Sequence, residues 1–299
     1  MNQPATHAIV LPPERAGRTA PDDLVNRRAG LRQALADGQW RSDTPGEETS
    51  FDGVRALRFR PEGASLATVL HMHGGGFRLG CPDIMGAFAG TLARRCGVTV
   101  ICPAYRLAPE HPFPAAIADA RKVHQAIMAA GEKHLILSGD SAGGGVAAAS
   151  AALAHADAVP PIGLILLSAW LDLTVSSPSY VHNAATDPLF SQEAARAAAE
   201  LYLQGHDARH PLASPIFADP ALFPPTLVNA GTGEVLADDS RLFHDRLAKA
   251  GIPAELSMVA DMEHVAVTRD AGLTGAAQTM DEVVAFVDNL LLDVRSRTR

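Results

Sequence analysis

The sequence predicts an α/β fold, a mostly parallel central sheet with helices on both faces. Three observations carry this. Strand-like apolar runs alternate with helix-like runs from about residue 55 onward. Most of these runs are continuously apolar rather than strictly alternating, as strands covered on both faces are. A sharp corner, Gly139-Asp140-Ser141-Ala142-Gly143, joins one such run to an alanine-rich segment. A β-α-β-α order gives parallel strands joined by crossover helices.

The elements follow in order. Residues 1 to about 45 form an irregular, proline-bearing start and a charged helix around "PDDLVNRRAGLRQALADG". The strand runs are "ATVLHMH" (67–73), "VTVICPAY" (98–105), "HLILSG" (134–139), "IGLILLSAW" (162–170), "PTLVNAG" (225–231) and "AELSMVA" (254–260). Between them lie "DIMGAFAGTLARRCG", "AAIADARKVHQAIMAAG", "GGVAAASAALAHADA" and "DSRLFHDRLAKAG", several stopped by a glycine. "AAQTMDEVVAFVDNLLLDV" is the last helix. Residues about 176–215 break the rhythm and are expected to pack with the start of the chain as a lid. The expected division is an N-terminal cap segment, 1–45, and a domain, 46–299, carrying a cap insertion at about 176–215.

Composition narrows the function. A net charge of -8 argues against a nucleic-acid or anionic-membrane partner. No apolar run reaches the roughly 18 residues of a membrane span. The opening "MNQPATHAIVLPPERAG" lacks the basic region and apolar core of a secretory signal. Cys81, Cys96 and Cys102 show no metal-ligand spacing and read as reduced thiols of a cytoplasmic protein.

Gly-x-Ser-x-Gly between a strand and a helix is a nucleophile elbow. It sets Ser141 Oγ at the carboxyl edge of the sheet, with the helix amides behind it. A serine hydroxyl needs a base and donors for an oxyanion. "HMHGGGF" places Gly74, Gly75 and Gly76 directly after a strand, where side-chain-free backbone can aim amides into a cavity. No Gly-Lys-Ser/Thr or GxGxxG spacing supports a phosphate loop instead. His264, in "VADMEHVAV", follows the last strand on the same edge and is the candidate base. His155 and His244 fall in helices, and His182, His206 and His210 in the lid.

With "HGGGF" (73–77), "PAYRLAPEHPFPAA" (103–116), "GDSAGG" (139–144), "SAWLDLT" (168–174), "DPLFS" (187–191) and "EVLADDSRLFHDRLAKAG" through "EHV", the sequence resembles the bacterial hormone-sensitive-lipase-like esterases of the α/β-hydrolase fold. The resemblance covers nearly the whole chain after about residue 50. It implies Ser141 as nucleophile, His264 as base and the amides of Gly74, Gly75 and Ala142 as the oxyanion hole. It also implies that Arg106, Glu110 and His111 order loops beneath the site. The family's acid motif reads Asp-Pro-Leu-x-Asp-Glu, whereas here it reads Glu234-Val235-Leu236-Ala237-Asp238-Asp239. Glu234 holds the acid's usual position and Asp238 its usual residue type. The reading favours Glu234, with Asp238 the alternative, because Asp238 suits the opening of the following helix.

The expected activity is a serine esterase acting on short-to-medium acyl esters through an acyl-enzyme, with no cofactor and no metal. Amide or N-acetyl hydrolysis on the same triad is one alternative. A non-catalytic receptor for a small ligand is another. The expected partner is a small-molecule ester, with neither nucleic acid nor membrane, and a homodimer through the "AELSMVA" edge is the assembly expected.

Overall fold

The computed structural model describes residues 9–297 apart from Arg41 and Ala158. Residues 1–8, which open both the stretch read for a secretory signal and the expected cap segment, lie outside the described residues. Eight strands form one sheet in the order β1-β2-β4-β3-β5-β6-β7-β8. They are β1 Glu47–Phe51, β2 Val54–Phe59, β3 Thr68–Met72, β4 Thr99–Pro103, β5 Leu135–Asp140, β6 Gly163–Leu167, β7 Thr226–Gly231 and β8 Ala254–Val259. From β4 across to β8 all neighbours are parallel, while β1–β2 and β2–β4 are antiparallel. Each of the six strand runs read from the sequence is a strand.

The hairpin β1–β2 was not foreseen, although its signal is present. Asp52 and Gly53 both take positive φ (47° and 81°), the geometry that an Asp-Gly pair supplies to a two-residue hairpin turn. Its outer edge is laced by charge. Arg55 pairs with Glu48 at 2.8 Å, and Arg60 with Glu47 at 3.1 Å.

The continuous apolar runs serve two cores at once. On β3, Val69 faces one cluster and Leu70 and Met72 the other; on β6, Ile165 and Leu167 oppose Leu164 and Leu166. The first face is covered by α2 (Gly86–Cys96) through Phe88 and Leu92, and by the last helix (Ala276–Arg297) through Val283, Phe286 and Val287. The opposite face carries α3 (Ala115–Ala129) and α4 (Ala142–Ala156), with Phe243 and Leu247 of a later helix. α4 is almost wholly alanine and glycine and is buried along nearly its whole length, so it lies unusually close to the sheet.

The remaining helices are α1 (Asp22–Ala36), α5 (Ser179–His182), α6 (Gln192–Leu203), α7 (Ala237–Lys249), α8 (Ala266–Arg269) and α9 (Ala276–Arg297). α1 has one buried residue, Leu24, and is fastened by polar contacts instead. Arg28 donates to the carbonyls of Arg78 and Ala108 and pairs with Glu110 at 2.6 Å. Arg106 bridges Glu14 and Asp119, at 2.7 and 2.9 Å. The "YRLAPEHPFP" loop therefore anchors the start of the chain. Among the described residues no helix is long and apolar enough to cross a membrane, and no cluster of three His, Cys, Asp or Glu could hold a metal ion. The three cysteines are unpaired.

Candidate active site

β5 ends at Asp140 and α4 begins at Ala142, so the whole reversal falls on Ser141, at φ 51° and ψ -124°. A non-glycine residue in that region is strained and is held there by its surroundings. Here backbone closeness holds it. A Cβ on Gly139 would come within 2.2 Å of the Gly143 carbonyl oxygen, and one on Gly143 within 2.1 Å of the Met72 carbonyl oxygen. Both glycines of the motif are thus required by sterics.

Ser141 Oγ lies 2.9 Å from His264 Nε2, and His264 Nδ1 lies 2.6 Å from Glu234 Oε2. The carboxylate can only accept, so Nδ1 carries the proton and Nε2 is left to accept from the serine hydroxyl. Burial on its own would lower the His264 pKa. The hydrogen bond and charge of Glu234 act against it, with smaller contributions from Asp187 and Asp140, and the net result is an imidazole above its ordinary value.

Between the two candidate acids, the geometry separates their surroundings. Glu234 is buried and faces His264. Asp238 sits in the first turn of α7, where it accepts the Ser179 amide at 2.8 Å and pairs with Arg241 at 3.0 Å. The next residue, Asp239, is buried. Burial pushes its carboxyl up to about 7 even though Ser177 and the amides of Leu171 and Asp172 donate to it.

Three residues around this acid carried no role in the sequence reading. Ser168, at φ 47°, donates to Glu234 Oε1 at 2.8 Å and accepts from the Val265 amide at 3.2 Å, tying the acid to the histidine loop. Asp187 accepts the amides of Val235, Leu189 and Phe190. Phe190 then lies parallel to the His264 ring, with centroids 6.2 Å apart. The segments "SAWLDLT" and "DPLFS" were the available signal, but side chains reaching across 48 to 97 positions have no local pattern.

The glycine loop calls for one correction. The Gly74 amide donates to Asp140 Oδ1 at 3.0 Å, so it is not available to an oxyanion. A Cβ at Gly74 would sit 2.4 Å from Asp140 Oδ2, so this glycine serves close packing. His71 also reaches Asp140 Oδ1, at 3.2 Å, and Ser138 at 2.9 Å. His73 bonds the Gly74 carbonyl through Nδ1 at 2.8 Å and stacks on Tyr105, whose hydroxyl donates to the His73 carbonyl. Burial lowers the His73 pKa to about 4, so its ring is neutral. Among the described residues, the amides of Gly75, Gly76 and Ala142 have no acceptor. Gly75 and Gly76 take φ 121° and 60°, which glycine adopts without strain.

A cavity of about 480 Å³ opens over Ser141 and His264. Leu31 and Trp40 wall it from the start of the chain and Leu189 and Phe190 from the insertion, so both segments read as cap reach it.

A buried hydroxyl, imidazole and carboxylate in line above a parallel sheet define a serine hydrolase. The alpha/beta hydrolase fold family matches residues 69–268, and the chain belongs to that family. It is similar to an esterase from Acinetobacter venetianus, 36% identical over 245 residues and 81% of each chain. An acetyl-hydrolase from Streptomyces hygroscopicus is 36% identical over 224 residues, 74% of this chain and 75% of that one. Among solved structures, EstE5 soaked with p-nitrophenyl butyrate matches at 32% identity and TM-score 0.83, over 95% of both chains. A hormone-sensitive lipase from a metagenome library matches at 34% and 0.83, over 93% of this chain and 94% of that one. The resemblance drawn from the sequence motifs holds.

Proposed function

We propose that this protein hydrolyses short-to-medium acyl carboxylic esters, with Ser141 as nucleophile, His264 as base and Glu234 as the acid that orients it. The Ser141–His264–Glu234 relay, at 2.9 and 2.6 Å, carries the reading. Ser141 Oγ attacks the ester carbonyl carbon as its proton passes to His264 Nε2. The carbonyl oxygen becomes an oxyanion held by the amides of Gly75, Gly76 and Ala142, each such donor being worth about 3 kcal/mol. The tetrahedral adduct collapses, the C–O bond to the alcohol breaks, and His264 returns the proton to the departing oxygen. Water, deprotonated by His264, attacks the acyl-serine; the acyl–Oγ bond breaks, His264 returns the proton to Ser141 Oγ, and the acid is released. Glu234 accepts the His264 Nδ1–H bond and stabilises the imidazolium.

The bounded cavity favours short acyl chains, so hydrolysis of p-nitrophenyl acetate or butyrate should exceed that of the palmitate. The decisive test is Ser141→Ala. Turnover should fall by several powers of ten at an unchanged melting temperature, and a purified variant keeping a tenth of the rate would exclude this nucleophile. Residues 1–45 and 176–215 serve as the cap. Unpaired cysteines, two of them buried, fit a cytoplasmic protein, which cell fractionation would test. The edge strand β8 supports a homodimer, to be checked by light scattering at micromolar concentration.

A further inference from the structure

Most arginines of this chain that reach into its folded body have a carboxylate. Arg28 pairs with Glu110, Arg55 with Asp83, and Arg106 with Glu14 and Asp119. Arg269, on the cavity wall, pairs with Glu263 at 2.8 Å. Arg78 does not fit this pattern. It lines the same cavity, and its Nε is buried with no hydrogen-bond partner among the described residues. Its backbone carbonyl is engaged by Arg28, but its guanidinium donates to no described residue.

The guanidinium sits beside Gly76, on the cavity that also holds Ser141 and His264. A methyl carbon placed on Gly76 would lie 3.6 Å from Arg78 Nη2 and 3.7 Å from Nε. Gly76 is one of the glycines with an unengaged amide over Ser141. Burial lowers the Arg78 pKa, and the neighbouring charge of Arg27 lowers it further, while Asp23 offsets part of this without a hydrogen bond. Beside the paired Arg269, Arg78 and the exposed Arg27 line the same cavity with no carboxylate ion pair among the described residues. The cavity's own carboxylate, Asp140, is already engaged by His71 and the Gly74 amide.

A partly buried charge whose Nε–H has no acceptor is costly, and a planar guanidinium is matched by a planar carboxylate through two parallel N–H···O bonds. We propose that Arg78 selects esters that carry a carboxylate close to the scissile carbonyl, on the acyl or the alcohol half. The proposal rests on the esterase reading and adds a substrate class to it. A neutral ester enters the same cavity but leaves Arg78 without a counter-charge.

Two pairs of nearly isosteric esters test this and locate the carboxylate. On the acyl side, p-nitrophenyl hydrogen succinate is compared with p-nitrophenyl 4-methylpentanoate. On the alcohol side, 4-carboxyphenyl butyrate is compared with 4-carbamoylphenyl butyrate. The readout is the ratio of kcat/KM for the charged over the neutral member, in which general damage to the enzyme cancels. Arg78→Gln should lower that ratio about tenfold in one pair, and that pair identifies the half; Arg78→Lys, which keeps the charge, should lose less. A change under threefold in both pairs would overturn the proposal. Calorimetric binding of benzoate and benzamide to the unsubstituted protein does not depend on turnover or on a folded variant. Benzoate should bind more tightly, with the preference shrinking as salt is raised; equal binding would overturn the proposal. Absence of turnover for all four esters with benzoate still preferred would instead count against the esterase reading.

Discussion

The serine corner and the acid turn stand side by side at the carboxyl edge of the sheet but are held by opposite means. The corner is fixed by backbone against backbone: Gly139 against Gly143, and Gly143 against Met72. The acid turn is fixed by side chains from distant segments. Ser168 holds Glu234, Asp187 holds Val235, and Asn183 donates to the Glu234 carbonyl at 2.7 Å. A site assembled by packing resists any added atom. One assembled by hydrogen bonds is weakened when a single donor is lost.

That contrast can be broken in graded steps. The largest effect is expected from Glu234→Gln, which preserves shape and removes the charge; kcat should fall by up to about ten-thousand-fold in a steady-state ester assay. Asp238→Asn, measured beside it, should stay within about threefold of the parent. A reversal of these two would move the acid to Asp238. Gly143→Ala should act on the fold rather than on catalysis alone. Its methyl has no room against the Met72 carbonyl, so the expected loss is about 3 kcal/mol or more of stability, read by denaturant unfolding. Ser168→Ala removes one hydrogen bond to a buried charge, worth about 1.5–3 kcal/mol, and should lower kcat about ten- to a hundredfold with a smaller shift in melting temperature.

The pH dependence sharpens the comparison with the smallest effect. The base works only when neutral, and its folded pKa is raised. Activity should therefore switch on as pH rises, with its midpoint above the ordinary histidine value of about 6.5. In Glu234→Gln the main raising charge is gone and burial is opposed only by the smaller contributions of Asp187 and Asp140, so the midpoint of residual activity should fall. A midpoint unmoved by that substitution would mean that Glu234 does not set the titration of His264.

What could be read from the sequence follows the same division. The elbow and the strands are short-range patterns, and "LILSGDSAGG" contains the strand end, both glycines and the helix start that flank Ser141. His264 and Glu234 could be read from chain order and register. Ser168 and Asp187 could not be assigned roles, because each acts on residues far along the chain through one or two side-chain atoms. The Gly74 amide was misread for a related reason. The glycine run was visible, but not that the Asp140 side chain, 66 positions away, takes its first donor. The β1–β2 hairpin was legible in Asp52-Gly53 yet passed over, since its outer strand is polar and exposed and lacks the apolar run by which the others were recognised.

The two rims of the sheet also differ. At β1, Glu47 and Glu48 are already paired with Arg60, just past the next strand, and Arg55 within it, so an incoming strand meets a lattice of satisfied charge. At β8 the rim carries Glu255, Leu256, Ser257 and Met258, with no such lattice among the described residues. The proposed pairing of two copies there about a two-fold axis would consume that rim of both chains at once and leave only the charged β1 rims facing outward, so such an assembly would close at two.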